Sequence, residues 1–348
     1  MTLEDIFFLV KPSERVQAPK LKDALDSLRM VEAYKNKLGG AQRNKVKDFF
    51  EDKPDEISGL VDKTGKKIIE FERYMAVCGD TVRKNEINID ITKLARQVLK
   101  KCIRPNFNQP TLYGTQTDEN SYGNCTTLVT RIASLIADDN FNSVFHFSPP
   151  DSKDYENITE VIDKFIEPSN KKRVLRISFE KIGFEFQARE ILANAIGKYL
   201  LSKSRNKEFK ENPIVLFIDE AHQFLNNKIV DDYFASQSLS AFDQIAKESR
   251  KYGLFLCLAT QMPRDIPIGT LSQMGTFIVH RLINYSDKEA IRHACASTSA
   301  EILSFLPVLG EGEAILSGVD FSMPVTIKID EPTTPPDSNT PKFKRLTS

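Results

Sequence analysis

Apolar residues recur with two different periods along the chain. In the N-terminal part they lie three or four residues apart among charged residues, as in LKDALDSLRMVEAY and ITKLARQVLKKC, which predicts amphipathic helices. From Cys125 onward, helical stretches alternate with short unbroken apolar runs such as IVLFI and LFLCL. Runs of this kind are typical of strands that are buried on both faces of a parallel sheet. The pattern therefore predicts an α/β fold in which a mainly parallel, doubly wound sheet is flanked by helices.

The predicted domain limits follow from the same change of pattern. We expect residues 1–30 to begin the α/β core, residues 31–124 to form an all-α insertion that ends in a polar loop, and residues 125–330 to form the rest of the core. Residues 331–348 contain several prolines and no apolar period, which predicts a flexible tail. The predicted strands of the core are SVFHF, RVLRISF, IVLFI, LFLCLAT and TFIVHRL, followed by EAILSG and PVTIKI as an antiparallel edge pair.

Charge and cysteine content narrow the class of protein. The 48 lysines and arginines balance the 48 aspartates and glutamates, so any DNA contact must come from a local surface or from assembly. The five cysteines are widely spaced and form no CxxC or CxxH motif, which favours reduced thiols in a cytoplasmic protein. No apolar run is long enough for a membrane span, and the acidic N-terminus is unlike a signal peptide.

Two carboxylates, Asp219 and Glu220, directly follow the predicted strand IVLFI. The carboxyl edge of a parallel sheet is where α/β proteins place their ligands. At such an edge one carboxylate can hold Mg²⁺ through water while the other polarises an attacking water. The acidic pair is therefore predicted to be the Walker B element of a P-loop ATPase.

Gln261 occupies the equivalent position one strand later, after LFLCLAT. An amide both donates and accepts hydrogen bonds, so Gln261 could sense a γ-phosphate or orient the attacking water, as glutamine does in several phosphate-cleaving enzymes. Taken alone, it is more simply a turn residue beside a proline. Its predicted place next to the acidic pair favours the catalytic interpretation.

Two arginines are candidates for neutralising the charge on a transferred phosphate. Arg250 ends the helix before LFLCLAT, and Arg281 follows the strand in TFIVHRL. Arg250 could act on the nucleotide of a neighbouring subunit, or it could only complement a helix C-terminus capped by Gly253; both interpretations stay open. His222, two residues after Glu220, is expected to make a turn contact rather than to relay, and the four histidines lack zinc-ligand spacing.

The sequence contains no GxxxxGK(S/T) motif, the loop whose amides cradle phosphates and whose lysine reaches the terminal one. Gly65-Lys66-Lys67 and Gly197-Lys198-Tyr199 come nearest, but neither ends in Ser or Thr. Gly197 lies in the amphipathic stretch ILANAIGKYLL, where it is more simply a close-packing glycine. Either the chain is not an ATPase, or its phosphate loop lies upstream of Met1 in a longer polypeptide.

Five blocks, in the order IDEAHQFL, IAKESRKYG, LATQMPRDIP, LSQMGTFIVHRL and LPVLGEGEAILSG, resemble the C-terminal half of HerA-type ATPases. Those proteins belong to the HerA–FtsK branch of RecA-like motors. The resemblance covers residues 125–330, and QAPKLKDAL is similar to the region just before the family's helical insertion. It implies a RecA-like P-loop NTPase fold and a chain that lacks the Walker A region, as a truncated product or as one half of a split ATPase.

The resemblance also implies roles for the candidate residues. Asp219 would hold Mg²⁺ beside ATP, and Glu220 would activate the attacking water. Gln261 would sense the γ-phosphate, and Arg250 would act on a neighbour's nucleotide. Arg281, from its place after a strand and not from the resemblance, is the second arginine candidate for contacting the nucleotide.

For the complete protein, the resemblance implies a hexameric, ATP-driven translocase or helicase on double-stranded DNA. Such motors work beside a nuclease such as NurA or with effectors of bacterial anti-phage defence. Residues 230–238 and 262–267 are the candidate pore elements.

A catalytically silent RecA-like partner, which would assemble with other subunits or bind DNA or an effector, is the second hypothesis. The set of Asp219, Glu220 and Gln261 weighs against it, because a scaffold has no need of all three. An unrelated α/β nucleotide enzyme is disfavoured by the ordered blocks. The chain alone is expected to show no ATP turnover.

Overall fold

A computed structural model of the chain describes ten stretches, which are residues 3–36, 38–42, 44–45, 59–83, 89–145, 156–182, 188–225, 240–295, 304–319 and 321–334. The chain divides into two compact units. Unit 1 contains residues 1–212 and 228–241, and unit 2 contains residues 213–227 and 242–348. The predicted boundaries at residues 30 and 124 both lie inside unit 1, and the predicted domain limits stay a prediction.

Unit 1 is mainly helical. Its helices are α1 (Leu3–Val10), α2 (Gln17–Asn36), α3 (Ile68–Arg83), α4 (Leu94–Leu99), α5 (Glu119–Ala137), α6 (Asp139–Phe145), α7 (Ile158–Ile166) and α8 (Ala188–Arg205). The amphipathic pattern explains why they pack: in α5, Cys125, Leu128, Ile132 and Leu135 share one buried face at three- and four-residue spacing. Residues from α1, α2, α4, α5 and α8 form one continuous apolar core. The amphipathic helices predicted from LKDALDSLRMVEAY and ITKLARQVLKKC are confirmed in α2 and α4.

The region predicted as an all-α insertion with a polar loop also contains a β-hairpin. Strand β1 (Ile103–Pro105) pairs antiparallel with β2 (Tyr113–Thr117). A Cβ added to Gly114 would lie 1.8 Å from the carbonyl oxygen of Arg104, so the close approach of the two strands requires glycine. The prediction of a purely helical segment and loop is therefore wrong here, because turn-forming residues at 106–110 close a hairpin.

Unit 2 holds two separate sheets. Strands β3 (Ile214–Ile218) and β4 (Leu254–Leu258) pair in parallel. Strands β5 (Thr276–Val279), β6 (Glu313–Gly318) and β7 (Val325–Lys328) form an antiparallel sheet in that order. The helices are α9 (Ala241–Glu248), which starts one residue before the unit, α10 (Ile268–Leu271) and α11 (Tyr285–Ala294). Residues from β5, α11 and β6 enclose the apolar core of the unit.

The α/β class and the edge pair β6–β7 are confirmed, but the sheet differs from the prediction. Among the described strands, only β3 and β4 pair in parallel. The described strands therefore do not form one mainly parallel sheet. Complete burial of β3 is also wrong, since Val215 is 50 % exposed and Phe217 is 74 % exposed. Alternate residues of a strand point to opposite faces, so one face of this two-stranded sheet is open.

Two further predicted strands are wrong. The first three residues of SVFHF end α6, and the last two lie outside the described residues. Residues 173–179, predicted as the strand RVLRISF, have no regular secondary structure. A strand is stable only where a neighbour accepts and donates its backbone hydrogen bonds, and no described strand pairs with this segment. In the described part of the chain, no helix is both long and apolar enough to cross a membrane.

Candidate functional site

The parallel pair β3–β4 brings the ends of two strands side by side. Ile218 lies opposite Leu258 in the register. The pairing continues beyond both strands, because Ala259 N donates to Ile218 O over 2.9 Å and Ala221 N donates to Ala259 O over 2.8 Å. The residues that follow β3 are thus held against the residues that follow β4. This is the arrangement predicted for the acidic pair and Gln261.

Glu220 has an unusual backbone conformation. Its φ of 48° and ψ of 46° lie in the left-handed region, which is uncommon for a residue with a side chain and costs about 1–2 kcal/mol. The turn is tightened by Asp219, whose Oδ1 accepts a 3.0 Å hydrogen bond from Glu220 N. Backbone strain of this kind is concentrated at functional sites. The conformation turns the Glu220 side chain toward the end of β4.

Gln261 contacts Glu220 directly. Its Nε2 donates a hydrogen bond to Glu220 Oε1 over 2.6 Å. The amide therefore holds one carboxylate oxygen, while its own carbonyl oxygen can accept from a second group. The structure thus brings together Glu220 and Gln261, two residues that lie 41 positions apart in the sequence.

His222 and Thr260 complete the cluster. His222 Nδ1 lies 3.1 Å from Thr260 Oγ1 and 3.3 Å from Glu220 Oε2. His222 thus makes side-chain contacts beyond the turn contact that the sequence predicts, and the sequence-based prediction assigns no role to Thr260. The contact between His222 and Glu220 is an ion pair only when the imidazole is protonated. The one sequence signal for Thr260 was its place immediately before Gln261.

One carboxylate oxygen of the site makes no hydrogen bond. It is Glu220 Oε2, which is buried and lies 3.3 Å from His222 Nδ1. A buried oxygen of a carboxylate normally has a hydrogen-bond partner, so this atom fits a polar ligand such as water. The Asp219 side chain, in contrast, is exposed. The pair therefore offers one accessible carboxylate and one that is oriented by its neighbours.

The site fits the needs of Mg²⁺ in part. This ion keeps several waters and takes only one or two carboxylates from a protein, which Asp219 and Glu220 can supply. Within the described residues there is no group of three or more His, Cys, Asp or Glu side chains that could hold a metal by themselves. Further ligands would have to be water and phosphate oxygens.

Arg250 lies away from this cluster. It belongs to a single 3₁₀ turn, Ser249–Tyr252, which precedes β4, and its side chain is exposed. Glu220 and Gln261 lie at the other end of β4, and five strand residues span roughly 17 Å. Gly253 caps the turn with a φ of 87° and donates its N–H to Arg250 O. A direct contact with Glu220 of the same chain is not formed, and the choice between a role in a neighbouring subunit and helix capping stays open.

Arg281 and His280 follow β5. Arg281 is exposed, and an open cleft in unit 2 is lined by Arg281 together with Gln261 and Arg250. His280 Nδ1 lies 3.1 Å from Glu313 O, so the imidazole contacts the backbone of β6. Of the two candidate pore elements, 230–238 lies outside the described residues, while 262–267 forms a 3₁₀ turn, Pro263–Asp265, and its flanks.

One contact near the site was missed entirely. Arg264 Nη1 lies 3.1 Å from Asp287 Oδ2, and Arg264 N donates to Asp287 Oδ1 over 3.3 Å. Asp287 is only 5 % exposed. The pair attaches the segment that follows Gln261 to α11. The burial of this pair depends on the tertiary structure, and the sequence marks only one of its members, Arg264, which lies in the block LATQMPRDIP.

Comparison with known proteins supports the sequence resemblance. Residues 207–340 match a family model described as Helicase HerA-like C-terminal. The chain is 34 % identical over 119 residues to a probable helicase of Methanocaldococcus jannaschii, which covers 34 % of this chain and 22 % of that protein. It is 29 % identical over 183 residues to the DNA double-strand break repair helicase HerA of Saccharolobus solfataricus, which covers 51 % of this chain and 35 % of that protein.

A third relative is the DNA double-strand break repair helicase HerA of Pyrococcus furiosus, 25 % identical over 209 residues, or 60 % of this chain and 36 % of that protein. The chain thus spans about a third or less of the length of these relatives. Among solved structures, the genome packaging NTPase B204 from Sulfolobus turreted icosahedral virus 2 with ATP-gammaS is 22 % identical, covers 39 % of this chain and 62 % of that chain, and has a TM-score of 0.32. A likeness this weak adds nothing to the assignment. The resemblance inferred from the ordered blocks is confirmed by the family model and the helicase relatives.

Proposed function

We propose that this chain, a HerA-type ATPase in its C-terminal region, is a subunit of an ATP-driven translocase or helicase on double-stranded DNA. The observation that carries the proposal is the 2.6 Å contact between Gln261 and Glu220. It links the ends of two adjacent parallel strands, at the sheet edge where α/β proteins bind ligands. A polar pair of this kind suits the activation of water beside a phosphate.

The residues of the site would divide the work. Glu220 Oε2, which is buried without a hydrogen-bond partner, would accept a hydrogen bond from the attacking water and then its proton. Gln261 holds the other oxygen of that carboxylate and so keeps Oε2 aimed at the water. Its free carbonyl oxygen would report on the γ-phosphate through a further hydrogen bond. Asp219, exposed beside them, would hold Mg²⁺, which would neutralise charge on the phosphates of ATP.

The phosphate-binding loop is proposed to come from polypeptide outside residues 1–348, because no GxxxxGK(S/T) occurs within them. We also propose the finer fold, a RecA-like P-loop core with an insertion that is helical apart from the β1–β2 hairpin. Without the loop, the chain would bind ATP weakly and would not turn it over. The second candidate, a silent RecA-like partner for DNA or an effector, is disfavoured by the ordered contact of Glu220 and Gln261.

Assembly would supply the remaining charge. Arg250 is exposed and separated from the acidic pair of its own chain, which suits a guanidinium that reaches the nucleotide of a neighbouring subunit. We propose a ring, with six subunits as in the family, around double-stranded DNA. Arg281 would face the nucleotide from its own subunit. The proposed partner is a NurA-type nuclease or a defence effector, and the widely spaced free cysteines suit the cytoplasm.

Hydrolysis of ATP tests the proposal. Residues 1–348 alone are expected to release no phosphate from ATP. Robust phosphate release that Glu220→Gln abolishes would instead place a complete site within these residues.

A second experiment joins the chain to a segment that carries GxxxxGK(S/T), and we expect this joined protein to show DNA-stimulated hydrolysis. In the joined protein, Glu220→Gln should lower the rate of ATP hydrolysis by about 10²-fold or more while ATP binding persists. Glu311→Gln, which changes an exposed carboxylate of the same unit, is the matched control. Equal rates for the two variants would refute the catalytic role, and DNA binding without hydrolysis would favour the silent partner.

A further inference from the structure

The β1–β2 hairpin of unit 1 is part of a small three-stranded antiparallel arrangement. Residues 65–68 run beside β2, since Tyr113 N donates to Lys66 O over 2.9 Å and Lys67 pairs with Leu112 in an isolated antiparallel bridge. The hairpin is therefore supported by a further backbone segment on its β2 side. We call the hairpin together with residues 65–68 the ribbon.

One face of the ribbon is anchored to the helices of unit 1. The rings of Tyr113 and Phe71, a residue of α3, meet edge to face with their centroids 5.3 Å apart. Lys63 Nζ lies 5.4 Å from the centroid of the Tyr113 ring and 2.6 Å from Asp23 Oδ1 in α2. Aromatic and cation–π contacts of this kind stabilise packing beyond the burial of apolar area. The ribbon is therefore held in place by the face that carries Tyr113.

The opposite face of the ribbon carries cations. Pro105 lies opposite Tyr113 in the register, and Lys67 lies opposite Leu112. Consecutive residues of a strand point to opposite faces, so Arg104, Leu112 and Lys67 share the face that points away from Tyr113. We call it the outer face. Arg104 and Lys67 are exposed, and neither side chain forms an ion pair with another described residue.

The segment that leads into the hairpin, and the hairpin itself, have a local excess of positive charge. Residues 93–117 contain five lysines and arginines and no aspartate or glutamate, whereas the two signs balance over the whole chain. Lys101 is buried, and Lys93 and Lys100 have carboxylate partners. Arg104 is not neutralised in this way, and no carboxylate of the hairpin would repel an anion that approaches it.

The tip of the hairpin presents an aromatic ring to solvent. Phe107 is 86 % exposed, the highest value for a large apolar side chain among the described residues. The turn that carries it is ordered, because Asn106 Oδ1 accepts from Gln109 N over 3.0 Å and Gln109 O accepts from Leu112 N over 3.0 Å. Burial of an exposed ring against a partner is favourable. A ring held out on an ordered turn therefore suits insertion into a partner.

We propose that the outer face and the tip of the ribbon form a contact surface for double-stranded DNA. Lys67 and Arg104 bind phosphates, and Phe107 inserts against base pairs from the minor groove. Proteins that bind this groove combine cations with apolar side chains that act as wedges between base steps. DNA supplies both the negative charge for the cations and the stacked bases for the ring. The inference rests on the proposed function for the choice of duplex DNA as the nucleic acid.

The spacing of the two cations fits one duplex. Arg104 and Lys67 lie on the two strands that flank β2 and are offset by about two residues along it. Strands lie about 4.8 Å apart and rise about 3.4 Å per residue, so the two Cα atoms are roughly 12 Å apart. Phosphates follow one another every ~3.4 Å along the axis in each strand of DNA. The two side chains can therefore reach different phosphates of the same molecule.

The affinity of residues 1–348 for DNA tests the phosphate contacts. Fluorescence anisotropy of a labelled 30-base-pair duplex, without nucleotide and at about 50 mM salt, measures binding that is expected in the micromolar range. Lys67→Gln combined with Arg104→Gln should weaken binding at least about fivefold and reduce the slope of log affinity against log salt by about 1.8. Lys172→Gln combined with Arg173→Gln is the matched control, because it removes two exposed cations of unit 1 outside the ribbon. The control should bind as the unaltered protein does.

A tryptophan at the tip tests the insertion of the ring. The chain contains no tryptophan, so the emission of Phe107→Trp comes from the tip alone. Stacking on bases quenches indole emission, and saturating duplex should lower it at least about twofold. Val174→Trp is the control, because it replaces an apolar side chain of unit 1 that is 80 % exposed and lies outside the ribbon. Its emission should stay nearly constant.

Each alternative result has a defined meaning. Unchanged affinity and salt slope for the double variant of Lys67 and Arg104 would overturn the proposal, and so would emission of Phe107→Trp that duplex DNA does not alter. Tighter binding of a single strand of the same length, with equal quenching, would overturn the assignment to duplex DNA. Binding that depends on the ribbon, but without hydrolysis by the joined protein, would instead overturn the proposed function alone.

Discussion

Lys101 is buried in unit 1, with 3 % of its surface exposed. Burial lowers the pKa of its ammonium from 10.5 to about 7. Its Nζ lies 3.3 Å from Val61 O, a long hydrogen bond for a charged donor. Val61 O also accepts from Gln97 Nε2 over 2.8 Å, so this carbonyl keeps a partner when Lys101 is replaced. Lys101→Met removes the buried amine while nearly preserving volume.

The expected effect depends on pH. Between pH 7 and 10.5 the unfolded chain binds a proton at Lys101 that the folded chain does not, so the stability of the unaltered protein rises with pH. Each pKa unit corresponds to about 1.4 kcal/mol, so the upper limit of the penalty near neutral pH is roughly 5 kcal/mol. Lost contacts reduce the observable gain, and Lys101→Met should stabilise unit 1 at pH 7 by roughly 1–4 kcal/mol.

Denaturation in urea at pH 7, 8 and 9, followed by helical circular dichroism, measures the difference between the two proteins. Hydrogen exchange in α4 confirms that unit 1 is the part that unfolds. The advantage of Lys101→Met should shrink by about 1 kcal/mol from pH 7 to 8, because the folded-state amine is partly protonated there, and by about 1.4 kcal/mol from pH 8 to 9. Lys100→Met is the control, because Lys100 is partly exposed and pairs with Asp62 over 2.7 Å, and its loss should not stabilise. A difference between Lys101→Met and the unaltered protein that does not change with pH would refute the reasoning.

Three other predictions follow from the described contacts. Asp287→Asn should destabilise unit 2 by about 1–3 kcal/mol in thermal unfolding, because Asp287 is buried and accepts from Arg264; an unchanged transition would contradict a structural role. A thiol reagent at pH 8 should modify Cys257 well before Cys102, since burial raises the pKa of Cys102 to about 12, and equal rates would show that Cys102 is accessible. In the joined, DNA-stimulated protein, Gln261→Ala should slow hydrolysis at least about tenfold with little change in stability, and a change below twofold would remove Gln261 from the site.

Local patterns in the sequence predicted most helices and strands. They failed for short apolar runs, where pairing with a neighbouring strand decides whether a strand forms. IVLFI and LFLCL became strands because five consecutive apolar strand formers have few alternatives. RVLRISF has a similar content of strand formers, yet it lies outside any described sheet. SVFHF, equally short, begins inside α6. Short apolar runs do not distinguish strand from helix without knowledge of their neighbours.

The candidate site shows the same division. Asp219, Glu220 and Gln261 were identified from the sequence because each follows an apolar strand, and the ends of adjacent parallel strands lie together. The family resemblance was likewise contained in the order of the blocks. The left-handed turn at Glu220 and the contacts of His222 and Thr260 were not. They depend on backbone register to within a fraction of an ångström, which no local pattern encodes.

The sequence by itself determined the chemistry available at the edge of the sheet and the absence of a phosphate loop from residues 1–348. Only the tertiary structure decided that Gln261 donates a hydrogen bond to one oxygen of Glu220, while the other oxygen is buried without a hydrogen bond. The physical reason is that residue types follow from the order of the chain, whereas distances arise only when strands far apart in sequence are packed together.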